Sequence, residues 1–216
     1  MFSCSEALTV ALLERSKYSS SDVPHPLQSD NPHGLVPFLE TNLYLNSSTP
    51  DLTKFSSPRL FSTHMPLHTL QVPFEDSPCK IVYVCRDVKD VLVSQCGVGY
   101  FGPIWENVLS YWRGSLEDPE HILFMRYEEM KSEPAAQVKR LAEFLGCPFT
   151  EEEEKGGSVD KILELCSLRS LSSNVHHSNF FRKGEVGGSK NHLTPEMENK
   201  IDMIMEEKYK GSGLKY

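Results

Sequence analysis

The feature that most constrains the fold is an apolar, β-branched run at residues 80–85, Lys-Ile-Val-Tyr-Val-Cys. Its side chains alternate little between apolar and polar, as expected for a central parallel strand covered on both faces. Residues 122–126 predict another buried strand. Helical segments alternate with these strands, which favours an α/β fold with a parallel sheet, and the length of 216 residues fits one domain, residues 1–216.

Helical spacing of apolar residues predicts four further elements, at residues 5–16, 103–114, 134–145 and 195–209. In the last of them four side chains are expected to face inward: Met197, Ile201, Ile204 and Met205. Asp87 is placed to cap a helix that runs through Ser94. Residues 19–37, rich in Ser, Pro, Asp and His, predict a long loop, and residues 59–63 predict a short strand.

Composition limits the classes of function. The net charge of −8 argues against a surface that coats nucleic acid, although a few local cations could still hold a small anion. No apolar run reaches the length of a membrane-spanning helix, so none is expected. The six cysteines show no C-x-x-C spacing, which is typical of reduced thiols in a cytosolic protein and implies no structural zinc.

Two elements carry residues suited to phosphate, and the first is residues 180–187. Two aromatics precede Arg182, Lys183 and Gly184 there. Arginine offers a planar fork to phosphate oxygens, lysine adds a point charge, and glycine lets a ligand approach the backbone closely. The aromatics could line an adenine pocket. Alone, this string is better explained as a solvated loop. A second basic element upstream in the sequence makes a phosphate-binding loop more favourable.

The second element is residues 86–94. Arg86 directly follows the predicted strand, and ligands of open α/β sheets gather beyond the carboxyl ends of strands. Ser94 follows about two helical turns later, on a face that returns toward the same edge, so both residues could share one phosphate. A pairing of Arg86 with Asp87 or Asp90, and a serine on the helix surface, explains the same string equally well.

A candidate general base lies in the string Phe-Ser-Thr-His-Met-Pro at residues 61–66. His64 follows the strand predicted at residues 59–63 and precedes a turn that Pro66 stiffens. With a pKa near neutral, a histidine there could remove a proton from an acceptor hydroxyl. A hydrogen-bonded loop histidine is the other interpretation of His64 on its own.

Together these strings resemble the soluble plant sulfotransferases, which use 3′-phosphoadenosine 5′-phosphosulfate (PAPS) as the sulfonate donor. The resemblance covers nearly the whole chain and includes residues 6–15, 25–27, 31–40, 59–64, 81–90, 138–147, 180–184 and 210–214. It implies a single P-loop-like α/β domain, with three layers around a central parallel sheet. The implied reaction moves a sulfonate to the hydroxyl of a small acceptor without a metal. Flavonoids, steroids, hydroxyjasmonates and desulfo-glucosinolates are all acceptors within the family.

The resemblance also implies roles for individual positions. The implied catalytic base is His64. The implied nucleotide contacts are Arg86 and Ser94 on the 3′-phosphate, Tyr127 on the nucleotide, and a second phosphate-binding loop of Arg182, Lys183 and Gly184. Residues 166–168 occupy the segment that lines the adenine in the family.

Three departures from the family pattern bear on these roles. The family's Pro-Lys-Ser-Gly-Thr-Thr-Trp loop, which cradles the 5′-phosphosulfate, and the strand before it are absent from the sequence, which predicts weak or no turnover. A longer family insertion between Ser94 and Tyr100, which carries part of the acceptor pocket, is reduced to Gln-Cys-Gly-Val-Gly. The dimer motif of the animal family has Val where Pro195 stands, so the oligomeric state is open.

Two other functions stay open at this point. A catalytically inactive, nucleotide-binding remnant of the family would keep the contacts on the 3′ side without turnover. A nucleoside-phosphate kinase is the third hypothesis, but no Gly-x-x-x-x-Gly-Lys-Ser/Thr string occurs, and residues 184–190 only look similar. Magnesium dependence would separate a kinase from a sulfotransferase.

Overall fold

A computed structural model gives the fold. It describes residues 2–18, 24–45, 47–55, 57–70, 78–94, 103–172 and 185–215. The chain packs into two compact units, each built from two stretches of sequence. The first unit is Met1–Thr63 with Pro134–Gly184, and the second unit is His64–Glu133 with Glu185–Tyr216. Each unit is therefore completed by a segment that is distant in sequence.

Helices dominate the described residues. In chain order they are α1 (Phe2–Glu14), α2 (Pro32–Leu35), α3 (Leu67–Leu70), α4 (Val88–Ser94), α5 (Ile104–Glu117), α6 (Tyr127–Ser132), α7 (Pro134–Phe144), α8 (Glu151–Lys155), α9 (Ser158–Leu165), α10 (Leu168–Ser172) and α11 (Pro195–Tyr209). Helical turns with other hydrogen-bond spacings occupy Pro26–Gln28, Leu39–Tyr44, Leu52–Lys54 and Gly188–Asn191. Over the part of the chain that is described, no helix is both long and apolar enough to cross a membrane.

Within the residues that the structure describes, the sheet of the second unit has two parallel strands, β1 (Ile81–Cys85) and β2 (Ile122–Arg126). Ile81 pairs with Ile122 and Cys85 with Arg126, so both strands end at the same edge. The first four residues of β2 are buried, whereas β1 is half-buried until Cys85. Both predicted strands are confirmed. They could be predicted because a run of apolar, β-branched residues favours a strand by itself.

Close packing of α3, α5 and the sheet forms the core of the second unit. Tyr83 of β1 stacks on Tyr111 of α5, with the ring centroids 4.2 Å apart and the planes inclined by 12°. Gly114 allows α3 to approach α5, since a Cβ at this position would lie 2.5 Å from the Cδ2 of Leu67. A larger residue than glycine would therefore require the Leu67 side chain to shift.

Helix α11 begins and ends as predicted, and the Thr194 hydroxyl caps it by accepting from the Met197 amide at 3.3 Å. Met205 and Tyr209 are buried, at 3% and 5% exposure. Met197 and Ile204 are 53% and 37% exposed, so the prediction that they face inward is wrong. The helix packs on α5 through Met205 and Tyr209, and helical spacing alone does not say which part of an apolar stripe a neighbour covers.

The predicted loop at residues 19–37 contains more structure than expected. Its described part includes a helical turn at Pro26–Gln28 and the short helix α2. The side chains of His25 and Asn31 cap these turns, and a proline follows each cap at the first helical position. The loop prediction is therefore wrong for these turns, because capping residues and proline start helices as readily as they mark loops.

The prediction of a strand at residues 59–63 is also wrong. One parallel bridge, between Phe38 and Ser62, joins this segment to its neighbour. The Leu39 amide donates to the Ser62 carbonyl at 2.9 Å, and the Ser62 amide donates to the Pro37 carbonyl at 3.0 Å. Two hydrogen bonds hold the segment in an extended form without continuing into a ladder.

The first unit is organised around α1. Five of its apolar side chains are buried: Ala7, Leu8, Val10, Ala11 and Leu12. Helices α7 and α9 pack on it, and Leu141 and Ala142 of α7 have no exposed surface. Complete burial of one leucine side chain contributes about 1.5–3 kcal/mol, so these contacts account for a large share of the stability of this unit.

Candidate functional site

The carboxyl edge of the two parallel strands brings two of the predicted site residues together. Arg86 directly follows β1, and Tyr127 directly follows β2 as the first residue of α6. The Arg86 Cζ atom lies 4.9 Å from the centroid of the Tyr127 ring, which is a cation–π distance. Tyr127 is 6% exposed. The sheet register therefore places a cation and an aromatic ring side by side at the edge where ligands of such sheets bind.

Asp90, one helical turn after Arg86, holds the arginine in place. The Arg86 Nη2 atom donates to Asp90 Oδ2 at 3.1 Å and to the Glu185 carbonyl at 2.7 Å. The side chains of Arg86 and Asp90 are 12% and 1% exposed. The pairing with Asp90 is thus one of the two arrangements that the sequence left open. A guanidinium carries five N–H donors, so the ion pair does not by itself prevent binding of a phosphate.

Residues near the C-terminus complete the surroundings of Asp90. The amide of Ser189 donates to Asp90 Oδ1 at 2.8 Å, and the amide of Gly187 donates to Asp90 Oδ2 at 2.9 Å. Burial raises the pKa of Asp90, but the hydrogen bonds from Ser189, Gly187 and Arg86 outweigh it, and the net pKa lies below the usual value of 3.8. The carboxylate is therefore ionised at neutral pH.

The turn between β1 and α4 is fixed on both sides. Asp87 Oδ1 accepts from the Lys89 amide at 2.7 Å, as the predicted cap of α4. The Asp87 amide donates to Glu128 Oε1 at 2.9 Å, which ties this turn to α6. Arg86 therefore stands on a rigid connection between a strand and a capped helix, which lowers the entropic cost of presenting it to a ligand.

Ser94 is the last residue of α4, and its side chain is not among those described. Arg182, Lys183 and Gly184 lie outside the described residues, in the gap between residues 172 and 185. The contacts predicted for these four positions therefore stay predictions. Glu185, which follows Gly184 in the sequence, is the first described residue after the gap and accepts the hydrogen bond from Arg86.

The segment that leads to His64 is held by two carboxylates of the first unit. The Ser62 hydroxyl donates to Glu6, which is 6% exposed. The Thr63 hydroxyl donates to Glu40 Oε1 at 2.5 Å. The other Glu6 oxygen, Oε2, lies 2.9 Å from the Nδ1 atom of His33. Both hydroxyls before the candidate base are thus fixed by residues that the sequence interpretation did not single out.

His64 itself is half-buried and is the first residue of the second unit. On its C-terminal side, the Tyr111 hydroxyl donates to the Met65 carbonyl at 2.6 Å. The backbone next to His64 is therefore anchored to α5. A histidine on a fixed backbone and partly open to solvent is suited to exchange a proton with a bound hydroxyl.

Comparison with known proteins decides the family. The chain matches the family model described as sulfotransferase domain over residues 5–96 and 94–213. It is 58% identical to cytosolic sulfotransferase 1 of Arabidopsis thaliana, in an alignment that covers 98% of this chain and 76% of the relative. Cytosolic sulfotransferase 8 of the same plant is 60% identical, with 97% and 74% covered. The chain belongs to the sulfotransferase family. The resemblance to plant sulfotransferases is therefore confirmed.

Solved structures agree with the sulfotransferase fold. A crystal structure of an Arabidopsis thaliana sulphotransferase superposes with a TM-score of 0.74 at 36% identity, over 100% of this chain and 75% of that one. Mouse sulfotransferase SULT7A1 complexed with PAP gives a TM-score of 0.61 at 25% identity, over 72% of this chain and 67% of that one. These likenesses confirm the predicted α/β fold with a parallel sheet.

The sulfotransferase is shorter than its relatives within the matched region. The alignment with cytosolic sulfotransferase 1 extends over 251 positions, whereas 98% of the 216 residues is about 212, so about 39 positions have no counterpart here. The family model also matches in two pieces that meet at residues 94–96. Both findings agree with the predicted loss of an insertion after Ser94.

Proposed function

We propose that this sulfotransferase moves a sulfonate group from PAPS to a hydroxyl of a small acceptor in the cytosol. The observation that carries the proposal is the pairing of Arg86 and Tyr127 at the carboxyl edge of the parallel strands. Its support from relatives is the identity of nearly 60% to plant proteins named cytosolic sulfotransferases, and the likeness to a mouse sulfotransferase complexed with PAP.

The nucleotide side of the proposed site consists of Arg86, Ser94, Tyr127 and the segment Arg182, Lys183 and Gly184. Arg86 fits the 3′-phosphate, because a guanidinium fork matches phosphate oxygens and the bond to Asp90 fixes its direction. Tyr127 provides a ring beside that cation. The chain as a whole, residues 1–216, is proposed to act as one sulfotransferase domain, with no metal in the reaction.

His64 is the proposed general base. It takes the proton of the acceptor hydroxyl while the oxygen forms a bond to sulfur. The bond between sulfur and the bridging oxygen of the 5′-phosphate breaks, and 3′,5′-bisphosphoadenosine (PAP) leaves with that oxygen. The anchored backbone on both sides of His64 supports this role, because a base has to be within hydrogen-bond reach of the proton that it removes.

The acceptor is proposed to be a flavonoid, steroid, hydroxyjasmonate or desulfo-glucosinolate. The test is transfer of labelled sulfonate from PAPS to a panel of these four acceptor classes. We expect slow but measurable transfer to at least one class, and His64→Ala to lower it about a hundredfold or more while PAP affinity stays unchanged. Transfer that survives in His64→Ala would contradict the role of this residue.

A second candidate function is nucleotide binding without turnover. The predicted loss of the insertion after Ser94 favours it, because that family insertion carries part of the acceptor pocket and the family model matches this chain in two pieces that meet at residues 94–96. This candidate predicts tight PAP binding with no sulfonate transfer to any acceptor. Absence of both transfer and PAP binding would contradict both candidate functions.

A further inference from the structure

Asp90 joins two parts of the second unit that lie about a hundred residues apart in sequence. Its two carboxylate oxygens together accept three hydrogen bonds, from the amides of Gly187 and Ser189 and from Arg86. The residue is 2% exposed. A buried carboxylate with three N–H donors is a strongly held group, because each charge-assisted bond is about twice as strong as a neutral one.

The turn at Gly187 explains how one carboxylate reaches two amides. Gly187 has a left-handed backbone, with φ 75° and ψ 18°, and the helical turn Gly188–Asn191 follows it. Such a change of hand directs successive N–H groups toward one side, which forms a small anion-binding concavity. Here the Asp90 carboxylate fills that concavity, so the turn binds the protein's own anion rather than a ligand.

A closed ring of contacts results. Arg86 donates to Asp90, Asp90 accepts from Gly187, and the chain leads back two residues to Glu185, whose carbonyl accepts from Arg86. Because both bonds of Arg86 leave from the same nitrogen, Nη2, the ring sets the rotation of the guanidinium. The same rotation places the guanidinium over the Tyr127 ring.

We infer that Asp90 is a positioning residue for recognition of the 3′-phosphate, acting by fixing the Arg86 guanidinium. This inference rests on the proposed function, since it concerns the nucleotide that Arg86 binds. Asp90 does not touch the nucleotide in this account. Its effect is therefore selective for a ligand with a 3′-phosphate and depends on the presence of Arg86.

The test compares calorimetric titrations of PAP and of adenosine 5′-phosphate into the wild-type chain and Asp90→Asn. Asparagine keeps the shape but loses the charge and one strong acceptor. We expect PAP to bind about tenfold to a hundredfold more weakly and adenosine 5′-phosphate to change less than about threefold. The control is Asp202→Asn, whose exposed carboxylate pairs with Lys89 in the same unit, and neither affinity should change.

Repeating the substitution in an Arg86→Ala background separates positioning from a merely structural role. If Asp90 acts through Arg86, the double variant binds PAP less than about twofold more weakly than Arg86→Ala alone. A full additional loss in that background would overturn the inference. The inference would also be overturned if Asp90→Asn kept the preference of the wild-type chain for PAP over adenosine 5′-phosphate. A wild-type chain that binds both nucleotides equally would overturn the proposed function as well.

A second variant covers the case in which Asp90→Asn does not fold. Asp90→Glu keeps the charge but moves the carboxylate by one methylene within a filled turn. We expect its folded form, checked by circular dichroism, to lose part of the preference for PAP. An unchanged preference in folded Asp90→Glu would contradict the requirement for a fixed carboxylate at this position.

Discussion

The sheet edge around Arg86 and the segment before His64 both rely on buried or half-buried carboxylates, but they use different donors. At the sheet edge, Asp90 accepts from a cation and from two backbone amides. Before His64, Glu6 and Glu40 accept from the hydroxyls of Ser62 and Thr63. The charge of Asp90 is thus compensated by Arg86. The hydroxyls before His64 bring no charge of their own, and the His33 ring beside the other Glu6 oxygen is charged only when it is protonated.

This difference indicates different tasks for the two regions. An ion pair between fixed partners sets one direction for a guanidinium, as recognition of a phosphate requires. Hydroxyl donors are weaker and adjust by rotation, which is sufficient to hold a backbone segment in place. We therefore expect loss of the Asp90 carboxylate to destabilise the protein more than loss of a hydroxyl before His64.

The largest effect is expected for Asp90→Ala. This substitution leaves Arg86 and two amides without their carboxylate, and breaking a buried ion pair costs about 3–5 kcal/mol. Urea unfolding of the whole chain measures the loss. Asp202→Ala, which breaks the exposed pair with Lys89, should cost less than about 1 kcal/mol. Equal losses of unfolding free energy in Asp90→Ala and Asp202→Ala would show that the buried Asp90 carboxylate stabilises the protein no more than an exposed one.

A smaller effect is expected for Ser62→Ala. The buried Ser62 hydroxyl donates to the Glu6 carboxylate, and a hydrogen bond to a charged group contributes about 1.5 kcal/mol or more. The control is Ser29→Ala, because the exposed Ser29 hydroxyl bonds only locally to Pro26 and should change stability by less than about 0.5 kcal/mol. A loss in Ser62→Ala as large as in Asp90→Ala would contradict the ranking of the two regions.

The smallest effect is the change in stability that follows protonation of Asp90, and it is confined to acid pH. The folded-state pKa of Asp90 lies below 3.8, so its ionised form stabilises the protein above that pH, and the contribution is lost as the pH falls through the folded value. Unfolding of the wild type and Asp90→Asn should therefore converge in stability below pH 3.8. A constant gap between the two stability curves down to the most acid pH would argue against this ionisation.

Those parts of the fold that depend on local signals could be predicted from the sequence. The run that forms β1 is apolar, the run that forms β2 is apolar up to Met125, and α11 begins at a Thr-Pro pair that marks a helix start. The exposure of Met197 and Ile204 could not be predicted, because it depends on which surface α5 covers. The segment at residues 59–63 likewise forms one bridge because of its tertiary partner.

The candidate site likewise contains residues that could be placed from the sequence and residues whose contacts could not. Arg86 and Tyr127 could be placed because each directly follows a strand, and the four-residue spacing of Arg86 and Asp90 offered their pairing as an alternative. The bonds from the Gly187 and Ser189 amides to Asp90 span 97 and 99 residues, and the bond from Ser62 to Glu6 spans 56. No local pattern reports such contacts, which is why the roles of Asp90 and Glu6 came only from the structure.

The most direct test of the central claim is a calorimetric titration of the wild-type chain and Arg86→Ala with PAP and with adenosine 5′-phosphate. If the sheet edge recognises the 3′-phosphate, Arg86→Ala weakens PAP binding by about 1.5–3 kcal/mol, which is more than tenfold, and weakens adenosine 5′-phosphate binding by much less. Equal weakening of the two nucleotides would contradict the assignment of Arg86 to the 3′-phosphate.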